Sequence, residues 1–228
     1  MANFFIRKNI SMIVSDMAGT TINESGIIYQ SIYNTIQKMK YPVELKDKYN
    51  WHGRDKKEAI IEHIQKYDPN INVDKTYQQA NKILLNELST EYFDNQKASL
   101  IDNEKLSSFF NYLRISNIKV TLQTGYPSIF QDEIIKHFKM NHFVDDWISS
   151  QDVEKGRPHP YMIEFMMNKY NIKSENVAKI GDTINDMKEG KNANCGIVIG
   201  VLTGEGTRTE LLNAGADMIV NKITDLYL

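Results

Sequence analysis

Two short segments, far apart in the chain, each place a carboxylate beside a glycine and a threonine. The first follows an apolar run and reads Asp16-Met-Ala-Gly-Thr20, and the second reads Gly181-Asp182-Thr-Ile-Asn-Asp186. Hard divalent cations such as Mg²⁺ prefer carboxylate oxygens, and a carboxylate can also attack phosphorus. One Asp at a strand end is often only a turn residue or a helix cap, but two such segments predict a Mg²⁺ site for phosphoryl chemistry.

The elements that must position these carboxylates alternate between strand and helix. Ligands bind beyond the carboxyl ends of strands in such folds, so Asp16, Thr124 and Asp182 are expected to converge. The pattern predicts an α/β fold, a Rossmann-like doubly wound parallel sheet with helices on both faces. Periodicity predicts strands at 10–15, 118–123, 143–149, 177–181 and 197–201, and helices at 106–113, 128–138, 160–170, 183–192 and 209–213.

The segment after the first strand has a purely helical pattern. Its apolar stripes are Ile28, Ile32 and Ile36, then Ile60, Ile64 and Tyr67, followed by a long helical segment from Val73 to Tyr92. An insertion at this point can fold over the edge of the sheet as a lid that excludes water. We therefore predict a core domain of residues 1–21 and 98–228 and an inserted all-helical cap domain of residues 22–97.

Composition narrows the class of partner. The 228 residues are 41% hydrophobic with a formal net charge of −2, and no Lys/Arg-rich block marks a nucleic-acid or anionic membrane surface. No segment has the apolar length of a secretory signal or a membrane span, so a cytoplasmic location is expected. Cys195 is the only cysteine, so an internal disulfide is excluded and we assign it no catalytic role.

In chain order, four motifs over nearly the whole chain resemble those of the haloacid dehalogenase superfamily of phosphoryl-transfer enzymes. They are the Asp16 loop, Thr124 in Gln-Thr-Gly, Gly156-Arg157-Pro158, and Gly181-Asp182 with Asp186. The resemblance implies that Asp16 attacks phosphorus and binds Mg²⁺, while the Ala18 carbonyl and the Asp182 carboxylate complete the protein ligands. Asp186 is then expected to act through water or to orient the ligand shell.

Two further residues are implied to bind phosphoryl oxygens. Thr124 supplies a hydroxyl, and Arg157 supplies a planar, always-charged group that suits an oxyanion. Lys155 is the alternative cation, but Pro158 fits the motif around Arg157, so Lys155 is expected at the surface. The glycines between Gly200 and Gly206 lack the spacing of a dinucleotide loop and predict only a connecting loop.

Position 18 narrows the resemblance to one branch. Most phosphatases of the superfamily carry a general acid–base Asp two residues after the nucleophile, where this chain has Ala18. Such catalysis is worth ~10²–10⁴ in rate, so the leaving group needs another route. The phosphonoacetaldehyde hydrolase (phosphonatase) branch resembles this chain in that alanine, in Thr124-Gly125-Tyr126 and in Asp186-Met-Lys-Glu-Gly190. This implies that Gly125 and Tyr126 bind substrate, with core packing as the alternative for Tyr126.

That branch cleaves a carbon–phosphorus bond after a cap lysine forms a Schiff base with the substrate aldehyde. The lysine lies three residues after a glycine, as Lys56 does after Gly53, so we predict a Schiff base at Lys56 and substrate contact at Gly53. Like charge from Arg54 and Lys57 is expected to favour the neutral amine of Lys56. The alternative for Lys56 is a solvated, charged helix face.

The cap segment departs from the phosphonatase pattern at one position. Members resemble one another in a histidine three residues after the lysine, where this chain has Ala59. His52 and His63 lie in the same segment, but a lone histidine is more often packed or at the surface than catalytic. Neither is assigned a role.

Three functions therefore remain open. The first is a Mg²⁺-dependent phosphonatase, the second a phosphatase for a small phosphomonoester that works without the second Asp, and the third a catalytically weak phosphate-binding protein. Each takes a small phosphonate or phosphorylated ligand rather than nucleic acid or a membrane. The resemblance also implies a homodimer formed through the cap.

Overall fold

The computed structural model describes residues 2–24, 26–51 and 54–227. It divides into two compact units, Met1–Asn23 with Ser99–Leu228, and Glu24–Ala98. We call the first the sheet unit and the second the helical unit. The sequence predicts boundaries after residues 21 and 97, and the structure has them after residues 23 and 98. The predictions made for His52 and Gly53 lie outside the described residues.

The sheet unit is built on six parallel strands in the order β5-β4-β1-β6-β7-β8. The first strand, β1, lies between β4 and β6, so the carboxyl ends of these three strands are neighbours. The predicted doubly wound parallel sheet is confirmed. Its strands are β1 (Met12–Asp16), β4 (Lys119–Thr124), β5 (Asp146–Ser149), β6 (Val177–Gly181), β7 (Ile197–Val201) and β8 (Met218–Val220).

Helices connect these strands and cover the sheet. They are α1 (Ala2–Arg7), α5 (Asn103–Ile115), α6 (Ser128–His137), α7 (Tyr161–Tyr170), α8 (Ile184–Asn192) and α9 (Arg208–Asn213). On α7 the buried side chains Met162, Ile163 and Met166 pack with Met12 and Val14 of β1. This apolar contact gives β1, which ends in Asp16, a fixed support.

Two short strands mark the point where the chain leaves and re-enters the sheet unit. They are β2 (Ile22–Asn23) and β3 (Ser99–Leu100), which pair antiparallel with Ile22 opposite Leu100. The backbone N–H of Ile101 also donates to the carbonyl of Thr21. These bonds close the base of the insertion, so its two chain crossings lie side by side.

The helical unit consists of α2 (Ile27–Lys38), α3 (Lys56–Gln65) and α4 (Val73–Ser89), with a 3₁₀ segment at Leu45–Trp51 and a π turn at Thr90–Asp94. The predicted stripe of Ile28, Ile32 and Ile36 is buried, which confirms that face of α2. The placement of Tyr67 on the second stripe is wrong. Because α3 ends at Gln65, Tyr67 falls in the following turn and is 51% exposed.

The strand predicted for 143–149 is wrong in its first half. The N–H groups of Phe143 and Val144 bond back to the carbonyl of Met140, at the end of a 3₁₀ turn over Met140–His142. Both side chains are buried, so these apolar residues belong to a packed turn and the strand begins only at Asp146. Four short elements, α1, β2, β3 and β8, have no counterpart in the sequence prediction.

In the ranges that the structure describes, no helix combines the length and apolar content needed to cross a bilayer.

Aromatic side chains beneath α5 form a cluster whose packing can be tested. Phe110 is fully buried, with its ring centre 5.6 Å from that of Phe109 and 6.2 Å from that of Phe143. We expect Phe110→Ala to lower the free energy of unfolding by about 3–5 kcal/mol, because it removes buried apolar contacts and leaves a cavity. Urea denaturation measures the loss. Phe165→Ala, at a 47% exposed position of α7, is the matched control, and an equal loss there would contradict the assignment.

Candidate active site

Three buried carboxylates meet at the carboxyl ends of adjacent strands. Asp16 is the last residue of β1, Asp182 directly follows β6, and Asp186 lies in the first turn of α8. One carboxylate oxygen from each lies within 4.8 Å of the others. The parallel pairing of β1 with β6 brings these distant segments together. The structure thus places three of the sequence-predicted residues in one cluster.

Arg157 joins two of these carboxylates. Its Nη1 lies 2.6 Å from Oδ1 of Asp16 and 2.6 Å from Oδ1 of Asp186, and its side chain is only 7% exposed. Within the described part of the chain, Oδ2 of Asp16 has no hydrogen-bond donor, so its lone pairs remain available for a cation or an electrophile. Lys155 is exposed, as the sequence predicts. The geometry therefore supports Arg157 as the cation of the site.

Asp182 is held by residues from two loops. Its Oδ1 accepts a hydrogen bond from the Thr20 hydroxyl at 2.9 Å, and its Oδ2 accepts one from the backbone N–H of Glu205 at 3.0 Å. A Cβ at Gly204 would lie 1.9 Å from Oδ2 of Asp182, and one at Gly19 would lie 2.6 Å from it. Only glycine permits this approach, so both loops require it at these positions.

The loop from Gly200 to Gly206 therefore does more than the sequence predicts. Besides connecting two elements, it supplies the Glu205 N–H to the Asp182 carboxylate and the Gly206 N–H to the Asp182 backbone carbonyl, at 2.9 Å. The signal that could have found this role is the pair of glycines around Glu205. Their spacing argues against a dinucleotide loop but is compatible with a backbone cradle for an acidic side chain.

Both oxygens of Asp186 are occupied by protein groups. Oδ1 contacts Arg157 and, at 2.8 Å, Nζ of Lys179, while Oδ2 accepts from the Thr183 hydroxyl at 2.6 Å and from its backbone N–H at 3.2 Å. Thr183 is the N-cap of α8, and its Oγ1 accepts in turn from the Asp186 N–H, which forms a capping box. This bonding favours the orienting role expected for Asp186.

A second layer of buried charge lies behind Asp186 and is absent from the sequence prediction. Nζ of Lys179 is 3.0 Å from Oε2 of Glu189, and the side-chain amide of Gln123 donates to the same oxygen. All three residues are fully buried. A lysine inside the apolar strand segment Val-Ala-Lys-Ile-Gly was the available signal, since a fully buried lysine is rare without a charged partner.

Burial favours the protonated form of all three site carboxyls, but their pKa values shift in different directions because their charged neighbours differ. Burial raises the pKa of Asp16, although Arg157 acts in the opposite direction. Burial, together with the charges of Asp16 and Asp186, raises the pKa of Asp182 well above its ordinary value. Burial opposes ionisation of Asp186 as well, but Arg157 and Lys179 outweigh it and lower the pKa of Asp186. Added positive charge beside Asp16 and Asp182 would favour their ionised forms.

This donor set fits Mg²⁺. Asp16 and Asp182 offer buried carboxylate oxygens with unused lone pairs, and such hard oxygen donors are those that Mg²⁺ binds. The predicted third ligand, the carbonyl of Ala18, belongs to a turn that three backbone N–H groups close by donating to the carbonyl of Met17. Asp186 has less free capacity and suits an outer role.

Three of the residues predicted to bind substrate, Thr124, Gly125 and Tyr126, lie at the end of β4. Thr124 is its last residue and is buried, and its Oγ1 accepts from the Tyr126 N–H at 3.1 Å, so the hydroxyl proton can be donated elsewhere. Gly125 is buried in the turn between them. The Tyr126 ring is buried edge-on against Phe130, with ring centres 5.4 Å apart. Its contacts support the packing alternative over substrate binding.

In the helical unit, Lys56 begins α3 and is buried, with only 6% of the residue exposed. Asp55 caps the helix by accepting from the backbone N–H of Glu58 at 3.0 Å. Nζ of Lys56 lies 5.2 Å from the centre of the Tyr29 ring, while Lys57 is exposed. The solvated-face alternative is therefore wrong for Lys56, and the two lysines point in different directions, as helix geometry predicts.

The expected influence of neighbouring like charge on Lys56 is weakened. Arg54 contacts Glu62 at 2.8 Å, and Nζ of Lys57 lies 3.8 Å from Asp74. Because these charges are compensated, they do less to favour a neutral amine than the sequence predicts. His63 is buried against Trp51 and bonds through Nε2 to the carbonyl of Pro42, so it packs within the helical unit.

Substitution of the glycine nearest to Asp182 tests the loop cradle. We expect Gly204→Ala to weaken Mg²⁺ binding and any phosphoryl-transfer activity by about 10- to 100-fold, because the new methyl group displaces an Asp182 oxygen. Titration of the thermal midpoint with MgCl₂ measures the effect. Glu205→Ala keeps the backbone N–H that binds Asp182 and is the matched control. Equal behaviour of the two variants would refute the cradle.

Burial raises the pKa of the Cys195 thiol to about 12. At pH 8 only roughly one thiol in ten thousand is then the reactive thiolate. We expect iodoacetamide to leave native Cys195 unlabelled over an hour at pH 8 and to label it fully in urea, as read by mass spectrometry. Rapid labelling of the folded protein would contradict the assigned inert role.

Comparison with known proteins agrees with this geometry. A family model described as haloacid dehalogenase-like hydrolase matches residues 13–200. A phosphonoacetaldehyde hydrolase from Bacillus cytotoxicus is 38% identical over 97 residues, which cover 41% of this chain and 36% of that protein. The match thus spans about a third of the curated relative's length.

Solved structures of other proteins share the fold. A phosphonoacetaldehyde hydrolase-like protein from Oleispira antarctica superimposes with a TM-score of 0.76 at 19% identity, over 96% of this chain and 90% of that one. A predicted phosphatase from Clostridium acetobutylicum has a TM-score of 0.74 at 23% identity, over 96% of each chain. Because the family model matches residues 13–200, which is most of the chain, the chain belongs to the haloacid dehalogenase-like hydrolase family.

Proposed function

We propose that the protein is a Mg²⁺-dependent hydrolase that cleaves the carbon–phosphorus bond of a small phosphonate with a carbonyl group beta to phosphorus, such as phosphonoacetaldehyde. One observation carries the proposal: Ala18 stands where most phosphatases of the family have an acid–base Asp, while a lysine, Lys56, is buried at the start of α3. The relative from Bacillus cytotoxicus, named phosphonoacetaldehyde hydrolase, supports the same substrate class.

In the proposed reaction Asp16 is the nucleophile towards phosphorus. Its Oδ2 is available for attack, while Arg157 contacts Oδ1 and fixes the carboxylate. The guanidinium of Arg157 and the hydroxyl of Thr124 bind the phosphoryl oxygens. Asp16, Asp182 and the Ala18 carbonyl would hold Mg²⁺, which would supply positive charge against the phosphoryl oxygens. The product of this step is an aspartyl-phosphate, which water then hydrolyses to phosphate.

Lys56 provides the route for the departing carbon. Its neutral amine adds to the aldehyde carbon, and the adduct takes up a proton and loses water, which leaves a protonated imine. When Asp16 attacks phosphorus, the electron pair of the carbon–phosphorus bond moves into this imine and gives an enamine. Protonation and hydrolysis of the enamine release acetaldehyde and regenerate the amine, so no acid is needed at position 18.

The helical unit has the place in the sequence expected of a cap. We propose that it excludes water from the reaction and that two copies of the chain associate through it. Exclusion of water would protect the imine from premature hydrolysis and strengthen the electrostatic interactions of the site.

A phosphatase for a small phosphomonoester is the second candidate, and the surroundings of Lys56 favour it. The face of an aromatic ring attracts an ammonium group, and the Tyr29 ring lies 5.2 Å from Nζ of Lys56. Ala59 also leaves α3 without the histidine of the phosphonatase pattern. In this function Lys56 would remain charged and would bind an anionic substrate group.

Chemical trapping distinguishes these functions. We expect phosphonoacetaldehyde with borohydride to attach a two-carbon adduct to Lys56, detected by peptide mass spectrometry, and to release phosphate when borohydride is omitted. Lys56→Ala and Lys56→Arg should abolish the adduct and lower C–P cleavage by at least about 10²- to 10⁴-fold, because the carbon then leaves without assistance.

The control is Lys57→Ala, which removes an exposed lysine of the same helix and should leave the adduct and turnover unchanged. Absence of the adduct, with phosphomonoester turnover that survives Lys56→Arg, would replace the proposal by the phosphatase function. Mg²⁺-dependent phosphate binding without an aspartyl-phosphate on any substrate would leave only a phosphate-binding protein.

A further inference from the structure

Behind the carboxylates, the fully buried residues Lys179, Glu189 and Gln123 form a connected polar layer. Nζ of Lys179 lies between two acids, 2.8 Å from Oδ1 of Asp186 and 3.0 Å from Oε2 of Glu189. The amide of Gln123 donates to the same oxygen of Glu189. Glu189 therefore has two positively polarised partners, and Lys179 is shared between a site carboxylate and a carboxylate outside the site.

Each member of the layer is attached to an element that carries a site residue. Gln123 precedes Thr124 in β4, Lys179 lies in β6 three residues before Asp182, and Glu189 is on α8 one turn after Asp186. The register of the sheet also places Gln123 opposite Asp16. A change in one of these contacts is thus transmitted to the site through a single turn or strand.

The net charge of the buried cluster, with all its groups ionised, would balance that of a divalent cation. When ionised, the four acids Asp16, Asp182, Asp186 and Glu189 carry four negative charges, and Arg157 and Lys179 carry two positive charges. The remainder is two negative charges. Because the groups are buried, water screens this remainder weakly, so each charge in the layer has a large effect on a cation bound at the site.

Glu189 is the acid of this cluster to which neither the proposed reaction nor the Mg²⁺ site assigns a role. Without it, the charge of Lys179 would be directed at Asp186 alone, which would reduce the negative potential available to a cation. An uncompensated buried ammonium is also costly, so Lys179 would then depend on Asp186 for its charge compensation.

We propose that Glu189 is a positioning residue that holds part of the charge of Lys179 away from Asp186 and thereby sets the Mg²⁺ affinity of the site. Gln123 orients Glu189 for this purpose. The inference rests on the Mg²⁺-dependent part of the proposed function, and it is independent of which phosphorus bond is cleaved.

The test uses paired substitutions with effects of opposite sign. Glu189→Gln keeps the shape of the side chain but removes its charge, and we expect it to weaken Mg²⁺ binding by about 10- to 100-fold. Lys179→Met removes the competing cation and should tighten Mg²⁺ binding. The double variant loses one charge of each sign and should return to within a few-fold of the wild-type affinity.

Mg²⁺ affinity is read without substrate, from the rise of the thermal midpoint with MgCl₂ concentration, starting from protein treated with EDTA. The midpoint in EDTA alone reports whether each variant is folded. If Lys179→Met does not fold, the comparison of Glu189→Gln with the double variant still decides the question. Glu175→Gln and Lys188→Met change exposed charges beside β6 and on α8, and they should stay within twofold of wild type.

If both single variants bind Mg²⁺ more weakly and the double variant does not recover, the buried layer has only a structural role and the proposal is overturned. An unchanged Mg²⁺ affinity in Glu189→Gln would overturn it as well. Absence of Mg²⁺ binding by the wild-type protein would remove this inference and the proposed function together. If the two single variants shift the Mg²⁺ affinity in opposite directions but the protein does not cleave a C–P bond, only the proposed substrate is wrong and the inference on Glu189 stands.

Discussion

The main constraint on the candidate site is that three acidic side chains lie close together in the protein interior. Asp16, Asp182 and Asp186 repel one another, and each loses hydration on burial, so the site is stable only with compensating charge. Arg157 and Lys179 supply part of that charge from within the chain. This need for positive charge is the physical reason to expect Mg²⁺ at these carboxylates.

The backbone around the site serves this constraint. Parallel pairing aligns the ends of β1, β4 and β6, so a residue at the end of each strand reaches the same edge of the sheet. Glycines at positions 19 and 204 let two loops approach Asp182, where side chains would collide with its carboxylate. The capping box of α8 fixes Asp186 at the start of a helix. Small residues, caps and strand register thus determine the positions of the charges, while the apolar core keeps the strands in place.

The helical unit adds a different chemical group. Lys56 is buried beside an aromatic ring, a setting in which an ammonium is stabilised by the ring and in which a neutral amine would be shielded from water. The ammonium state suits the alternative phosphatase, in which Lys56 would bind an anionic substrate group. The neutral amine suits the proposed phosphonatase, in which Lys56 would form an imine. Position 18 bears on this difference, because the sheet unit has alanine where most phosphatases of the family have an acid–base Asp, and the proposed C–P cleavage assigns the assistance of the leaving group to Lys56 instead.

The sequence by itself indicated the α/β class, the helical insertion and the carboxylates Asp16, Asp182 and Asp186, because strand periodicity and residue spacing are local properties of the chain. Arg157 was indicated by the resemblance of its motif to that of a family. The sequence failed for the turn at Phe143 and for the packing of Tyr126, where apolar composition is the same for a strand, a turn and a pocket wall. Only the tertiary structure decided that Lys179 and Glu189 pair behind the site, that Gly204 admits Asp182, and that Tyr29 lies beside Lys56. Compensation of buried charge depends on distances between residues remote in sequence, and no local pattern encodes those distances.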